Sequence, residues 1–570
     1  MAVDISSLST FSKPLLCSNS KQEPCQARTS FSCKSCHMVK YCSKECQTAD
    51  WSRHKKRCRS QFMKGTWAPE WYRDNRLPAF LGGPVLSTFG NRKYLWGNIP
   101  ALDILQLEDN EGRTSATSHD FSLLFAASGD LRNVIKTIAG LPDGYKGRCV
   151  AVVNDKDFTI VARNVVMLFV ALQFEPDIAV PMIIHLWYSA LLPRSIIQTL
   201  DAIQAKTFEI NGQKLRIALE RDKWARLVTF CRVPEGLSAE AAQKIRCRIM
   251  LATERVDYRD RALLNMPAGV RQGEMHFRDT GILLPYGCSL TEFETPNPTL
   301  FVENEWPMKD DASPRRGWLF DEYMADAPAA KADEFGAIFF HIRTLLLKFC
   351  GRLRSSDISF WMFNMDAQDI GSYLDDMKFD RIEISNICDR AYLGPHICLE
   401  VFSPLLKPTS QNPNATLLML FLNAAQETEN EANTPEDKQS TVKERNRLDE
   451  YIPIGKPRED MARAPMKLIT HPNIILRAVC SDMFKPWDKY FNIFMDKCKI
   501  TQFATQCGMA IKEEHTIVQP WPYRVEDQTT KEEFDILRAS GTTGSERYME
   551  FQKLGTTAND PSIAFAKMQL

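Results

Sequence analysis

Six side chains of metal-ligand type stand close together near the amino end: Cys33, Cys36, Cys42, Cys46, His54 and Cys58, spaced Cys-x2-Cys-x5-Cys-x3-Cys-x7-His-x3-Cys. Thiolates and imidazoles suit zinc in tetrahedral geometry, and a gap of two or three residues lets both members of a pair reach one ion. Six ligands exceed one tetrahedral site, so the spacing predicts two ions, with upstream thiols completing the set. Those thiols are Cys17 and Cys25. Cys17 opens what looks like another Cys-x2-Cys knuckle, but its fourth position is Ser20, a poor zinc ligand, so Cys25 is the candidate for the eighth ligand. Disulfides are the bland alternative, and they would need an oxidising compartment. Met1 to Leu16 shows no basic start followed by a sustained apolar core. The remaining cysteines, from Cys149 to Cys507, are scattered and read as packed thiols of a reducing interior. His37, next to Cys36, is left outside the ligand set.

The run Tyr41-Cys42-Ser43-Lys44-Glu45-Cys46-Gln47, then Asp50-Trp51, then His54-Lys55 and Cys58, resembles the MYND zinc finger. The resemblance implies interleaved ligand pairs, with Cys17, Cys25, Cys42 and Cys46 on one zinc and Cys33, Cys36, His54 and Cys58 on the other. Ser20 departs from the family pattern. A segment this short cannot bury enough apolar surface to fold alone, so metal binding must supply its folding energy. The resemblance also implies a protein partner, often a short proline-containing peptide. Lysines and arginines such as Lys34, Lys40, Lys44, Arg53 and Lys55 make the finger basic. Nearby acids offset part of that charge and no aromatic-basic stacking surface is evident, which argues against nucleic acid.

The finger is a small part of 570 residues. A hydrophobic share of 44% and a charged share of 25% are ordinary for globular chains, and Lys+Arg and Asp+Glu balance at 71 each. No global field draws such a chain to nucleic acid or to an anionic membrane. The longest apolar stretches, such as Ile160 to Leu172, which carries Arg163 and Asn164, fall short of a membrane span. These features predict a cytoplasmic or nuclear protein without a membrane partner.

The elements that must position any further chemistry begin at Phe121 to Ala127, an apolar run of strand length that stops at Ser128-Gly129-Asp130. Leu131, Val134, Ile135 and Ile138 then mark one helical face. Cys149 to Val153 forms a second strand ending at Asn154-Asp155, and a helix runs from about Asp157 to Leu172. Apolar strands alternating with helices indicate a parallel sheet covered on both faces, with ligands at the strands' carboxyl ends. Asp155 stands where an acid grips ribose hydroxyls in nucleotide-binding folds. The plainer reading is that Gly129 permits a tight turn and Asp130 caps its helix.

Phe360 to Asn364, followed by Asp366-Ala367 and then Phe379-Asp380-Arg381-Ile382, resembles the later motifs of class I S-adenosylmethionine-dependent methyltransferases. That resemblance implies cofactor contacts at Gly129, Asp130, Asp155, Asp366 and Ala367, with Asp380 and Ser385-Asn386 bordering the cleft. The stretch from Pro100 to Leu172 also resembles an uncharacterised domain that fungal MYND-finger proteins share with a dynein axonemal arm assembly factor family. Asn98 to Asp103, Gly129-Asp130-x-Arg132, Asn154-Asp155 and Ala162-Arg163-Asn164 carry that match. The Asn-His-Ser-Cys run of SET-domain methyltransferases does not occur in this sequence.

The predicted fold class is α/β: a two-zinc finger, then a Rossmann-like, class I methyltransferase-like parallel sheet with a large helical insertion. The expected organisation is a flexible stretch 1–16, the finger 17–58, a first half-domain 66–172, a helical insertion 173–350, and a second half-domain 351–540 with a polar loop about 427–443. A loose tail, 541–570, completes it. Phe335, Ile338, Phe339, Ile342, Leu345, Leu346 and Phe349 mark one long amphipathic helix within the insertion. His341, Trp187, Tyr188 and Trp361 read as packing residues rather than ligand contacts. The predicted function is a zinc protein whose finger recruits a partner while the body serves as scaffold or assembly factor. The alternative is an active methyltransferase using S-adenosylmethionine.

Overall fold

A computed structural model describes residues 17–19, 25, 27, 29, 31–82, 89–205, 214–325, 328–432, 446–454 and 465–555. Twelve strands lie among them. β1 (Phe31–Ser32) and β2 (Lys40–Tyr41) form the hairpin of the finger, followed by the helix Lys44–Cys58. β3 (Phe121–Phe125), β4 (Arg148–Asn154), β6 (Leu215–Ala218), β8 (Asp357–Phe363), β9 (Arg381–Glu383), β10 (Thr416–Phe421), β11 (Met509–Ile511) and β12 (Arg547–Lys553) build one eight-stranded sheet. Its order is β11-β12-β10-β9-β3-β4-β8-β6, parallel from β10 to β6, with β12 antiparallel to both β10 and β11. β5 (Leu191–Pro193) and β7 (Phe293–Pro296) make a separate antiparallel ribbon.

Alternation along the central strands explains the layers. Cys149, Ala151 and Val153 of β4 point into one core, and Val150 and Val152 into the other. The first core receives the helices Arg132–Gly140, Phe158–Gln173, Pro176–Tyr188 and Glu334–Ser355; the second receives Gly394–Phe402 and Trp487–Cys498. The order in which the chain visits the sheet reverses between β3 and β9.

The long apolar helix expected over Phe335 to Phe349 is Glu334–Ser355, capped by Asp333, whose carboxylate accepts from the Gly336 amide. Three expectations need correction. The insertion 173–350 is not purely helical, because β6 extends the main sheet beside β8 and β5 pairs with β7. The polar stretch predicted from residue 427 begins inside the helix Ala424–Ala432, and 433–443 lie outside the described residues. The segment after Thr542 is not a loose tail as far as residue 555: β12 is inserted between β10 and β11. Its inward Glu550 is fully buried and accepts from the Thr516, Ile517 and Val518 amides, beside Lys512. Residues 1–16 lie outside the described residues.

Candidate metal centre

The helix Lys44–Cys58 carries ligands at both ends. Cys42 precedes its N-cap, Ser43, whose hydroxyl accepts from the Cys46 amide at 3.2 Å. His54 and Cys58, one turn apart on a single face, are both buried. About 12 Å of helical rise separates Cys46 from His54, so one ion cannot take both. The hairpin supplies the complementary knuckle. Cys33 and Cys36 flank a turn closed by the His37 amide donating to the Cys33 carbonyl, with His37 in the left-handed region at φ 53°. His37 is itself exposed, outside the cluster.

Two groups result: Cys17, Cys25, Cys42 and Cys46, and Cys33, Cys36, His54 and Cys58. Within each, all four ligand atoms lie within 4.8 Å of one another. Among the separations are 3.6 Å between the sulfurs of Cys25 and Cys42, 3.5 Å between those of Cys42 and Cys46, and 3.4 Å from Cys36 Sγ to His54 Nε2. Tetrahedral zinc with bonds near 2.3 Å to sulfur and 2.0 Å to nitrogen places its ligand atoms roughly 3.5–3.8 Å apart. The two clusters therefore fit two zinc ions by donor type, number and spacing. The electrostatics agree. Burial lowers the pKa of His54, keeping its imidazole neutral as a ligand must be, while burial and the neighbouring thiols Cys33 and Cys58 raise that of Cys36. Adjacent thiolates need a cation between them.

A layer behind the ligands escaped the sequence reading. Asp50, fully buried, accepts from the Tyr41 hydroxyl at 2.8 Å and from Arg53 Nε at 2.7 Å, and Arg53 reaches on to the Ser18 carbonyl. Asp50 and Arg53 at i and i+3 were the signal, one that polar residues on any exposed helix share. The finger is seated on the body: Arg57 lies over Tyr286, the Ala332 amide donates to the His37 carbonyl, and Arg271 donates to the carbonyls of Phe62 and Lys64. A groove of about 570 Å³ on the finger is lined by Phe31, Lys34, Lys44, Gln47, Thr48 and Trp51 among others.

At the carboxyl ends of the sheet, Gly129, Asp155 and Asp366 come together, but their polar atoms answer one another. Asp155 accepts from the Gly129 and Asp157 amides at 2.9 and 2.8 Å, and burial pushes its carboxyl up to about 6. Asp366 pairs with Lys156 at 2.7 Å and caps the turn into Ala367, which is buried. Asp130 is 4% exposed and already accepts from the Gly97 amide, Trp187 Nε1 and Arg132. Each of these carboxylates already accepts from groups of the protein itself. Asp380 corrects the sequence reading: it precedes β9 and lies at the amino edge of the sheet, where it accepts from the Ser122 amide and from Lys407 and Asn412. It borders no cleft shared with Gly129. His341 stacks edge-on against Trp318, and Trp187 and Tyr188 are fully buried.

The polar residues around β3 and the helix Phe158–Gln173 hold one another. Arg132 donates to the Ile99 carbonyl and to Asp130, its guanidinium lying where a Cβ on Gly97 would fall. Asn133 accepts from the Leu102 amide, Asn164 donates to the Gly129 carbonyl, and Arg163 donates to the Trp187 carbonyl. Arg132 and Asn133 thereby tie the segment 97–102 to the helix that follows β3.

No helix among the described residues is long and apolar enough to cross a membrane. No curated protein and no solved structure matches the chain. Two family models do: one described as MYND finger over residues 17–58, and one described as domain of unknown function, DUF4470, over residues 95–192. The chain thus carries an N-terminal MYND finger, with cysteine and histidine clusters that fit two zinc ions, followed by a DUF4470 domain.

Proposed function

We propose that this protein is a zinc-dependent recruitment factor. Cys17, Cys25, Cys42 and Cys46 hold one ion, Cys33, Cys36, His54 and Cys58 hold the other, and the finger so ordered presents a peptide groove. The observation that carries the reading is the pair of four-ligand clusters anchored on opposite ends of one helix. The partner is a short proline-containing peptide. Trp51 offers a flat aromatic wall of the kind extended proline-rich segments dock against, and Gln47 offers an amide to their carbonyls. The body is a scaffold or assembly factor with a Rossmann-like sheet; beyond the finger 17–58 it is organised as half-domains 66–172 and 351–555 and an insertion 173–350 that adds β6 to the sheet. The test is binding of a proline-containing peptide library to zinc-loaded, full-length protein. Trp51→Ala should abolish capture while zinc content stays at two ions per chain, and unchanged capture would refute the groove.

Methyl transfer from S-adenosylmethionine is the second reading, favoured by one observation: apart from edge strand β6, the parallel strands follow the doubly wound order 3-2-1-4-5, with Gly129, Asp155 and Asp366 at their carboxyl ends. The occupied carboxylates weigh against it. Calorimetry of the intact protein with S-adenosylmethionine separates the two readings, since absence of binding heat removes the second.

A further inference from the structure

Remote from the finger, a cavity of about 270 Å³ opens between the helices Val256–Leu263 and Ala268–Thr280, the turn Pro314–Gly317, and the segments around Cys480 and Gly541. Its wall is unusual in charge. Seven arginines line it against four carboxylates, and the carboxylates are already engaged. Asp310 pairs with Arg255 at 2.8 Å, Glu274 with Arg278 at 2.8 Å, Asp311 with Arg316 at 3.1 Å, and Asp482 with Lys485 at 2.9 Å. Arg315 turns away to Glu334.

What remains is cationic. Among the described residues, Arg259 and Arg261 have no carboxylate in ion-pair reach; Arg259 donates to the Ala252 carbonyl, and Arg261 lies over the rings of Phe80 and Tyr258. Both are partly buried, and burial holds both guanidinium groups below their ordinary pKa. Arg538 pairs with Asp535 through Nη2 at 3.0 Å, which leaves its Nε, like Thr542 Oγ1, a buried lining donor with no hydrogen-bond partner; one acceptor, Asp310 Oδ1, is likewise unsatisfied. The guanidinium groups of Arg259 and Arg261, with the free Nε of Arg538, stand beside unsatisfied hydroxyl and carboxylate atoms and are the complement of a group with charged oxygens and hydroxyls together.

We propose that this cavity binds a small phosphate ester, its phosphate taken by Arg259, Arg261 and Arg538 and a hydroxyl of its carbon skeleton taken by Asp310. The volume sits just below the usual range for small-molecule sites, about 300 Å³ and upward, which favours a compact phosphorylated metabolite over a dinucleotide. A phosphorylated or acidic peptide is the rival occupant. It would need an extended groove, whereas the arginines here converge on one chamber.

The test uses zinc-loaded, full-length protein with glycerol 3-phosphate and inorganic phosphate as probes, and sulfate and an acidic peptide as controls. Phosphorus NMR line broadening should saturate with glycerol 3-phosphate at lower concentration than with phosphate, and sulfate should compete weakly. Arg259→Gln with Arg261→Gln should weaken glycerol 3-phosphate binding at least tenfold. Thr542→Val, which removes only a hydroxyl, should weaken it severalfold while leaving the ligand-free melting temperature in place, so the answer does not depend on the double variant folding. No saturable broadening, broadening indifferent to both sets of substitutions, or displacement by the acidic peptide at lower concentration than by the ester would overturn the assignment.

Discussion

Removing zinc should unfold the finger and spare the body. Seven finger residues belong to its buried cluster, and four of them are ligands, leaving Met38, Val39 and Tyr41 as ordinary apolar contributors. Fully burying three such side chains stabilises by about 2–3 kcal/mol each, less than about 10 kcal/mol in total. Ordering residues 31–58 opposes this at roughly 1–2 kcal/mol per residue, several times more. A structural zinc ion contributes on the order of 10–16 kcal/mol, so the two ions outweigh every other stabilising term in the finger. Native zinc content should be two ions per chain. Cys36→Ala and Cys42→Ala should each leave one, because the clusters share no ligand. Hydrogen exchange after chelation should show protection lost across 31–58 and retained in β3 and β4. A chelated protein that kept slow exchange across the Lys44–Cys58 helix, or a Cys42→Ala variant that retained two ions, would refute this reasoning.

Asp50→Ala should destabilise the finger by about 3 kcal/mol, since it leaves the Tyr41 hydroxyl and the Arg53 guanidinium without their buried acceptor, and a zinc-competition titration should show easier release. Asp380 illustrates a pH effect. Burial opposes its ionisation, yet His119, Lys407 and Asn412 hold its carboxyl down at about 2, against 3.8 ordinarily. A depressed carboxyl contributes stability that is present above the unfolded value and lost as pH falls through the folded one. Asp380→Asn should therefore cost about 2 kcal/mol in urea unfolding at pH 7, with the difference from wild type closing between about pH 4 and pH 2. Asp130→Ala should cost about 3–5 kcal/mol by the same measurement, because it strands the largely buried Arg132 guanidinium, 11% exposed, and the Trp187 ring nitrogen.

Local order was legible where the residues themselves carry the signal. The strands over Phe121–Phe125 and Arg148–Asn154 and the helix Phe158–Gln173 follow from apolar runs and periodicity, and Asp157 marks that helix's start by accepting from the Thr159 amide. Two errors share one cause. Asp380 and β12 could be placed only by knowing which strands pair: the register of Leu123 with Arg381 puts Asp380 at the amino edge, and Glu550 makes β12 look too polar for a sheet until the 516–518 amides close on it. β6, four residues long, carries too little pattern to be read as a sheet strand at all.

By itself the sequence determined the zinc chemistry, because ligand type and spacing over a few turns of chain are local quantities and tetrahedral coordination leaves them little freedom. It also determined that a covered parallel sheet follows the finger. Only the tertiary structure decided what the acids at the ends of that sheet do. Asp130, Asp155 and Asp366 look alike in sequence as free carboxylates, and they differ from free ones only through donors that include Gly97, Trp187 and Lys156, brought by segments that the chain delivers from elsewhere. The arginine-lined chamber is of the same kind. Its charges come from five separate stretches of sequence, and their surplus exists only where those stretches meet.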